Sequence, residues 1–409
     1  MTPENDNPIE AVPEGWSIRQ ISDLCENLDN LRRPITRSKR VPGSIPYYGA
    51  NGIQDYVSGY LFDEELVLVA EDCGDYKHFG KTAYVIRGKA WVNNHAHILR
   101  CKKINSVFLK EMLNYMNLTQ HINMGSRGKL NKADLEKIPI QFPSASEQQK
   151  IAEILTTADE EIELTERIIQ ETELVKRGLN NKLMTQGMGH DNYKETELGR
   201  VPESWKEVNL EAVAAKEKNS FVDGPFGSDL KVSDYTAYGV QLIQLQNIGD
   251  GIFYPFSDQK YTSEQKFEQL IRHAVYPGEL VISKMAEPIA RCCMVDSTQT
   301  KYLAVADCVK LKVDKSRYDP LFVMLLINSS KFRRLAYSRG TGTTRRRIGL
   351  TELKGLPFIE PPLEEQKEIS HTLTLLDNKI AAEKMKMTHL ETLKKGLMRD
   401  LLSGKVRVS

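Results

Sequence analysis

Two glycine-rich cationic segments carry the strongest chemical signal in this chain. The first reads GSRGKLNK (125–132) and the second SRGTGTTRRRIG (338–349). The second gathers Arg339, Arg345, Arg346 and Arg347 with Thr341, Thr343 and Thr344, without one acidic residue; the first offers Ser126, Arg127, Lys129 and Lys132. Glycine lets backbone N–H groups approach a phosphate, and Arg, Lys, Ser and Thr donate to phosphate oxygens or base edges. Three arginines in succession cannot all face a core. Both segments follow a helical pattern, which favours nucleic-acid binding over the plain alternative, a solvated surface loop.

Two further stretches, PYYGANGIQDYV (46–57) and DGPFGSDLK (223–231), mix aromatic, amide and glycine residues. They nominate Tyr47, Tyr48, Asn51, Phe226, Ser228 and Lys231 for a nucleic-acid surface, although turn chemistry alone explains much of both. QLIQLQN (241–247) predicts Gln244 and Gln246 on one strand face, where glutamine can read adenine or serve as an ordinary polar strand residue.

Signatures of catalysis are missing: no GxSxG, HExxH, GxxxxGK[ST] or strand-linked GxGxxG occurs. EPPL (360–363) lacks the aromatic of the [DN]PP[YFW] motif of amino-methyltransferases and falls where a helix begins. Neither S-adenosylmethionine nor ATP has a recognisable site, so no bound cofactor is expected. His95 and His97 share a predicted strand face without a third ligand at metal-like spacing, so packing or polar contact is expected rather than a metal. The six cysteines (25, 73, 101, 292, 293 and 308) form no CxxC pair and read as buried, reduced thiols.

The N-terminus MTPENDNPIE is unlike a secretory signal, and the longest apolar run, LFVMLLI (321–327), is far too short to span a bilayer. A cytoplasmic protein without a membrane partner is expected. Net charge is +1, so a duplex binder must concentrate its cations locally or share the task with partners.

The elements that position these residues occur twice. PSASEQQKIAEILTTADEEI (143–162) returns as PPLEEQKEISHTLTLLDNKI (361–380), with a constant offset of 218 from Pro143 to Pro361 and from Asp159 to Asp377. VPEGW (12–16) returns as VPESW (201–205), LEKIPIQFP (135–143) as LKGLPFIEP (353–361), and VKRGLNNKLMTQG (175–187) as LKKGLMRDLLSG (393–404). Looser pairs are EELVLVAEDCG (64–74) with GELVISKMAEP (278–288) and WVNNHAHILRC (91–101) with VADCVKLKV (305–313), each a predicted strand. Helices are expected at about 107–121 and about 319–337.

Each long segment is expected to be helical. Ser144 and Glu147 make a capping box, Pro362 suits the first helical turn, and Gly187 and Gly404 end the helices. Ile151, Leu155, Ile162 and Ile169, continued by Leu183, and Ile369, Leu373, Ile380, Met387 and Leu401 recur at coiled-coil spacing. Such a helix of about 40 residues is roughly 60 Å long. Its obvious mate is its own duplicate, packed antiparallel. Gly178 and Gly396 occupy matching places, with close backbone approach the preferred reason and a kink the alternative. The predicted fold class is mixed α/β (α+β): two recognition-type domains separated by a long antiparallel two-helix coiled coil, related by a pseudo-two-fold internal repeat. The expected boundaries are 1–143, 144–187, 188–361 and 362–409.

Over essentially the whole chain this arrangement resembles the specificity subunits of type I restriction–modification systems. The carriers are KLMTQGMGHDNYKETELGRVPESW (182–205), the P-x-x-x-E-Q-x-x-I helix starts, YYGANGI, DGPFGSDLK, WVNNHAHILR and the terminal LLSGKVRV. The resemblance implies a non-catalytic reader of double-stranded DNA. Each globular part would be a target-recognition domain for one half of a bipartite, asymmetric site. The helices would fix half-site spacing and dock two methyltransferase subunits. S-adenosylmethionine, adenine-N6 methylation, ATP, Mg and DNA cleavage would belong to those subunits and to restriction/translocase subunits. The Arg-rich segment of the second domain, with a shorter counterpart in the first, departs from an even duplication. Alternatives are a methyltransferase or nuclease in its own right, the reader of a system with a fused methyltransferase–nuclease partner, and a coiled-coil scaffold.

Overall fold

A computed structural model describes residues 12–123, 128–285, 288–342 and 345–408. Two compact units emerge: residues 1–169 with 382–409, and residues 170–381. Each long helix therefore contributes one part to each unit.

The first unit is built on a four-stranded antiparallel sheet in the order Cys25–Asn27, Ala96–Cys101, Leu66–Ala70, Ala83–Ile86. The run LVLVA is buried throughout, as suits a strand covered on both faces. Helix Ser106–Tyr115 packs on it through Phe108, Leu109 and Leu113. A second four-stranded sheet holds Pro42–Gly49 antiparallel to Gly52–Val57 and parallel to Lys89–Val92.

In the second unit the main sheet runs Phe221–Asp223, Cys308–Leu311, Leu280–Ser283, Cys292–Met294, which is the same order. Again a second sheet, here five-stranded, contains one parallel pair, Val240–Ile243 with Tyr302–Ala304. The helix expected over about 319–337 is two helices, Pro320–Ile327 and Ser330–Arg339. Ser329 caps the second by accepting from Phe332 N, while the Asn328 side chain bonds both Cys292 N and Cys292 O. Those competing hydrogen bonds end the first helix.

The long helices span Ala145–Gln186 and Leu363–Leu402. Within the first unit they run antiparallel: Glu147 meets Arg407, Asp159 meets Lys394, and Glu161 meets Lys386. Within the second they do so again, with Lys176 on Asp377 and Glu365 against the chain beyond Gly187. The two Lys–Asp pairs are copies, because Asp159 and Lys176 each lie 218 positions before Asp377 and Lys394. Ile151, Leu155, Ile169, Leu183, Ile369, Leu373, Ile380 and Leu401 are buried, and Ile162 and Met387 are half-buried.

A duplicated joint ties each helix start to its own domain. Gln148 donates from Nε2 to Pro143 O at 2.9 Å and accepts from Asn105 N at 2.9 Å. Gln366 donates to Pro361 O at 2.8 Å and accepts from Asp319 N at 3.0 Å. Asn105 and Asp319 are in turn the N-caps of Ser106–Tyr115 and Pro320–Ile327.

Three helix expectations need correction. Only half of the capping box forms: Glu147 N donates to Ser144 Oγ, but the Glu147 carboxylate turns to Arg407 at 2.7 Å. Pro362 stands just before the helix, its carbonyl accepting from Gln366 N. Gly178 and Gly396 mark no close crossing, since a Cβ at Gly178 would meet nothing within 4 Å and one at Gly396 only the Arg399 side chain at 3.9 Å. Gly187 is different: its φ is +61° and an added Cβ would lie 2.7 Å from the Trp205 ring.

Candidate nucleic-acid interface

Both glycine-rich loops close in the same way. In the second unit Thr341 N donates to Arg347 O at 2.8 Å and Arg347 N returns to Thr341 O at 2.9 Å. In the first, Asn123 N donates to Lys129 O at 2.9 Å and Lys129 N to Asn123 O at 3.3 Å. The next residue pins each loop to the end of a central strand: Ile348 N to Lys284 O at 3.0 Å, Leu130 N to Glu71 O at 2.9 Å. Asn123 and Lys129 lie 218 positions before Thr341 and Arg347, so the closed loops are equal in length. The expected shorter counterpart in the first domain is thus a difference of composition. Ser126, Arg127, Thr343 and Thr344 lie outside the described residues.

The cations of the second loop are largely engaged. Arg339 donates to Gly355 O at 3.1 Å and Glu197 at 2.9 Å. Arg346 stacks on the Tyr337 ring at 4.2 Å and bonds Gly340 O. Arg347 forms an ion pair with Asp307 at 2.6 Å. Arg345 is exposed and pairs with no acid among the described residues; Thr341 is exposed. Lys284, whose carbonyl holds this loop, bonds Asp223 of DGPFGSDLK at 2.7 Å, and Phe226, Ser228 and Lys231 of the same stretch are exposed.

Gln244 and Gln246 do not share a strand. The strand ends at Ile243, and a tight turn, Leu245–Asn247, follows because Asn247 Oδ1 accepts from Gln244 N at 2.8 Å. The turn still brings the two amides together: Gln246 Nε2 bonds Gln244 Oε1 and lies 3.2 Å from Asp258. Arg291 reaches Leu245 O at 3.1 Å, linking this turn to the loop that follows Ser283.

Electrostatics around the first loop are tightly bound. Burial pushes the Glu71 carboxyl up, yet Lys129 at 2.8 Å and Arg32 bring it below its usual range. Burial likewise opposes ionisation of Asp29, and His97, the Ile98 N–H and Arg32 more than offset it. His97 is 1% exposed, with Asp29 Oδ2 at 2.5 Å on one ring nitrogen and Leu130 O at 2.8 Å on the other. His95 stands in the turn before the strand and bonds Asp72 instead of sharing a face with His97. Lys132 is exposed, 3.6 Å from Glu136.

Tyr47 requires correction as a surface candidate. It is 1% exposed, its hydroxyl accepting from Ile35 N at 3.0 Å. Tyr48 is half-buried against Tyr84, and only Asn51 of that set is exposed. Among the cysteines, Cys73 is exposed and Cys101 half-buried, contrary to a wholly buried set.

The model of the type I restriction modification DNA specificity domain matches this sequence twice, at residues 13–174 and 202–392. The chain belongs to this family. As a specificity subunit of a type I restriction–modification system it is the recognition component, not the enzyme. It is similar to the type I restriction enzyme MjaVIII specificity subunit of Methanocaldococcus jannaschii, 24% identical over 97% of this chain and 94% of that one. A putative type I restriction enzyme specificity subunit of Haemophilus influenzae is 40% identical, over 36% of this chain and only 39% of its own length. In fold it resembles the S subunit of a type I system from M. genitalium, with a TM-score of 0.57 at 13% identity, covering 94% and 96% of the two chains. No helix among the described residues is long and apolar enough to cross a membrane, and no group of three or more His, Cys, Asp or Glu there could hold a metal ion.

Two features of this specificity subunit escaped the sequence reading. Asn247 and Gln241, each 1% exposed, bond the carbonyls of Tyr254, Ser257 and Pro255 and so hold a turn with Phe256 74% exposed at its tip. Neither buried amide has a distinctive motif. The second is the basic segment 31–41, whose signal was present in the charge count alone.

Proposed function

We propose that each unit reads one half of a bipartite, asymmetric site in duplex DNA. The long helices fix the distance between half-sites and dock two methyltransferase subunits. Adenine-N6 methylation, with its S-adenosylmethionine, and cleavage, with ATP and Mg, reside in those methyltransferase and restriction/translocase subunits. The observation that carries this reading is one scaffold built twice with different chemistry at matching points. The loops close identically, but Lys129 beside Glu71 in one unit stands where Arg347 beside Lys284 stands in the other. A frame held constant while its presented side chains change suits two readers of unlike sequences.

Long-read methylation mapping of the source strain tests this. Methylated adenines are expected in one two-part motif with an unspecified gap, lost when this gene is deleted. A single uninterrupted motif, or one that survives the deletion, overturns the proposal. Methyl transfer by the purified chain alone from labelled S-adenosylmethionine would contradict the division of labour.

A further inference from the structure

Between Asp29 and Asp55 the chain has no acidic residue and five basic ones, Arg32, Arg33, Arg37, Lys39 and Arg40. As far as Val41, before the strand Pro42–Gly49, this segment has only two short 3-10 turns, Asp29–Leu31 and Arg37–Lys39, yet it is clamped along its length. Trp91 Nε1 donates to Arg33 O at 2.6 Å. The buried Tyr47 hydroxyl accepts from Ile35 N at 3.0 Å. Arg40 stacks on the Tyr47 ring at 4.2 Å, bonds Ile35 O at 3.1 Å, and takes the nearest downstream acid, Asp55, at 2.9 Å.

The clamps divide the five cations. Arg32 is spent on Asp29 and Glu71, and Arg40 on Asp55. Arg33, Arg37 and Lys39 are exposed, and their side chains make no ion pair among the described residues. Three like charges within seven residues repel one another, and Asp55, the acid whose carboxyl Arg37 also helps to lower, is already taken by Arg40. A segment needed only as a connection would gain by letting them drift apart; here the buried Tyr47 and the half-buried Trp91 fix the backbone that carries them.

We propose that residues 31–41 form a strap that lies along the sugar–phosphate backbone of duplex DNA, with Arg33, Arg37 and Lys39 each neutralising a phosphate. Tyr47 and Trp91 are positioning residues: they hold the strap's carbonyl and amide groups and do not touch DNA. The inference rests on the DNA-reading function proposed above and assigns its sequence-independent part in the first unit.

The test uses the full chain assembled with its methyltransferase subunits. Its affinity is measured at several KCl concentrations for a duplex carrying the mapped methylation site and for a scrambled duplex. Each phosphate contact adds about 0.9 to the slope of log K against log salt, so Arg33→Ala/Arg37→Ala/Lys39→Ala should flatten it by about 2.7. Both duplexes should weaken by the same factor, leaving their ratio unchanged. Arg33→Lys/Arg37→Lys, which keeps the charge, should retain the wild-type slope. An unaltered slope in the alanine variant overturns the strap, as does a loss confined to affinity for the methyltransferase subunits. If the wild-type complex does not prefer the mapped duplex, the proposed reading function fails, and the slope still decides the strap independently.

Discussion

Tyr47 shows how a residue's chemistry can be identified and its place misjudged. Its neighbours in PYYGANG suggested an aromatic offered to a ligand, but the ring is buried and its hydroxyl is used internally. Tyr47→Phe keeps the ring and its stacking with Arg40 while leaving Ile35 N–H without its acceptor. A loss of roughly 1 kcal/mol is expected in urea unfolding, with faster amide exchange confined to residues near Ile35. The glycines of the long helices give a paired prediction. Gly187 has φ +61° and no room for a Cβ beside Trp205, so Gly187→Ala should cost about 1–2 kcal/mol from backbone strain and more from the clash. Gly178 sits in an open helical position, so Gly178→Ala should stabilise by up to about 1 kcal/mol. Thermal unfolding of both variants checks the opposite signs.

At the scale of elements, the C-terminal tail holds the first unit's helix end against its domain. Arg407 donates from Nε and Nη2 to Glu147 at 2.7 and 2.8 Å and from Nη1 to Glu14 O. The hydrogen bond from Arg407 holds the Glu147 carboxyl below its usual range. A depressed carboxyl contributes stability above its unfolded pKa of about 4.3 and loses it as pH falls through the folded value. Arg407→Ala should therefore lower the melting temperature at pH 7, and the gap from wild type should narrow progressively as pH falls below the usual carboxylate range. A gap that persists in acid would mean that the tail acts through packing alone. The long helices, their ends and the doubled plan were legible because period, capping residues and repeat offset are local or self-referring signals. The sheet order and the Gln148 and Gln366 joints were not, because they depend on which strand neighbours which and on carbonyls that carry no sequence signature. The readers were least legible. Arg339, Arg346 and Arg347 look equivalent to Arg345 in sequence, and only the acids, carbonyls and ring around them reveal that they are engaged.

At the scale of the whole molecule the question is whether helix length is a measured quantity. The duplicated Lys–Asp pairs provide fixed marks: Asp159 with Lys394 in one unit, Lys176 with Asp377 in the other. Between the marks on each helix lies a stretch that contributes no residue to either pair. Removing Ile162–Ile168 from the first helix and the matching Ile380–Lys386 from the second takes out one heptad each, 218 positions apart. A heptad keeps the apolar seam in register to within about 20°, so both pairs and both Gln joints should re-form. The helices would shorten by roughly 10 Å, or about 3 bp of B-DNA. If the helices set the spacing, the methylome of a strain carrying this variant should show the same two half-site sequences with a gap about 3 bp shorter. An unchanged gap would mean that partner subunits fix the distance, and altered half-sites would mean that the helices shape the reading surfaces themselves. A deletion in one helix alone should separate these causes further. It would mismatch the two Lys–Asp marks, so loss of methylation, not a shortened gap, is the expected outcome.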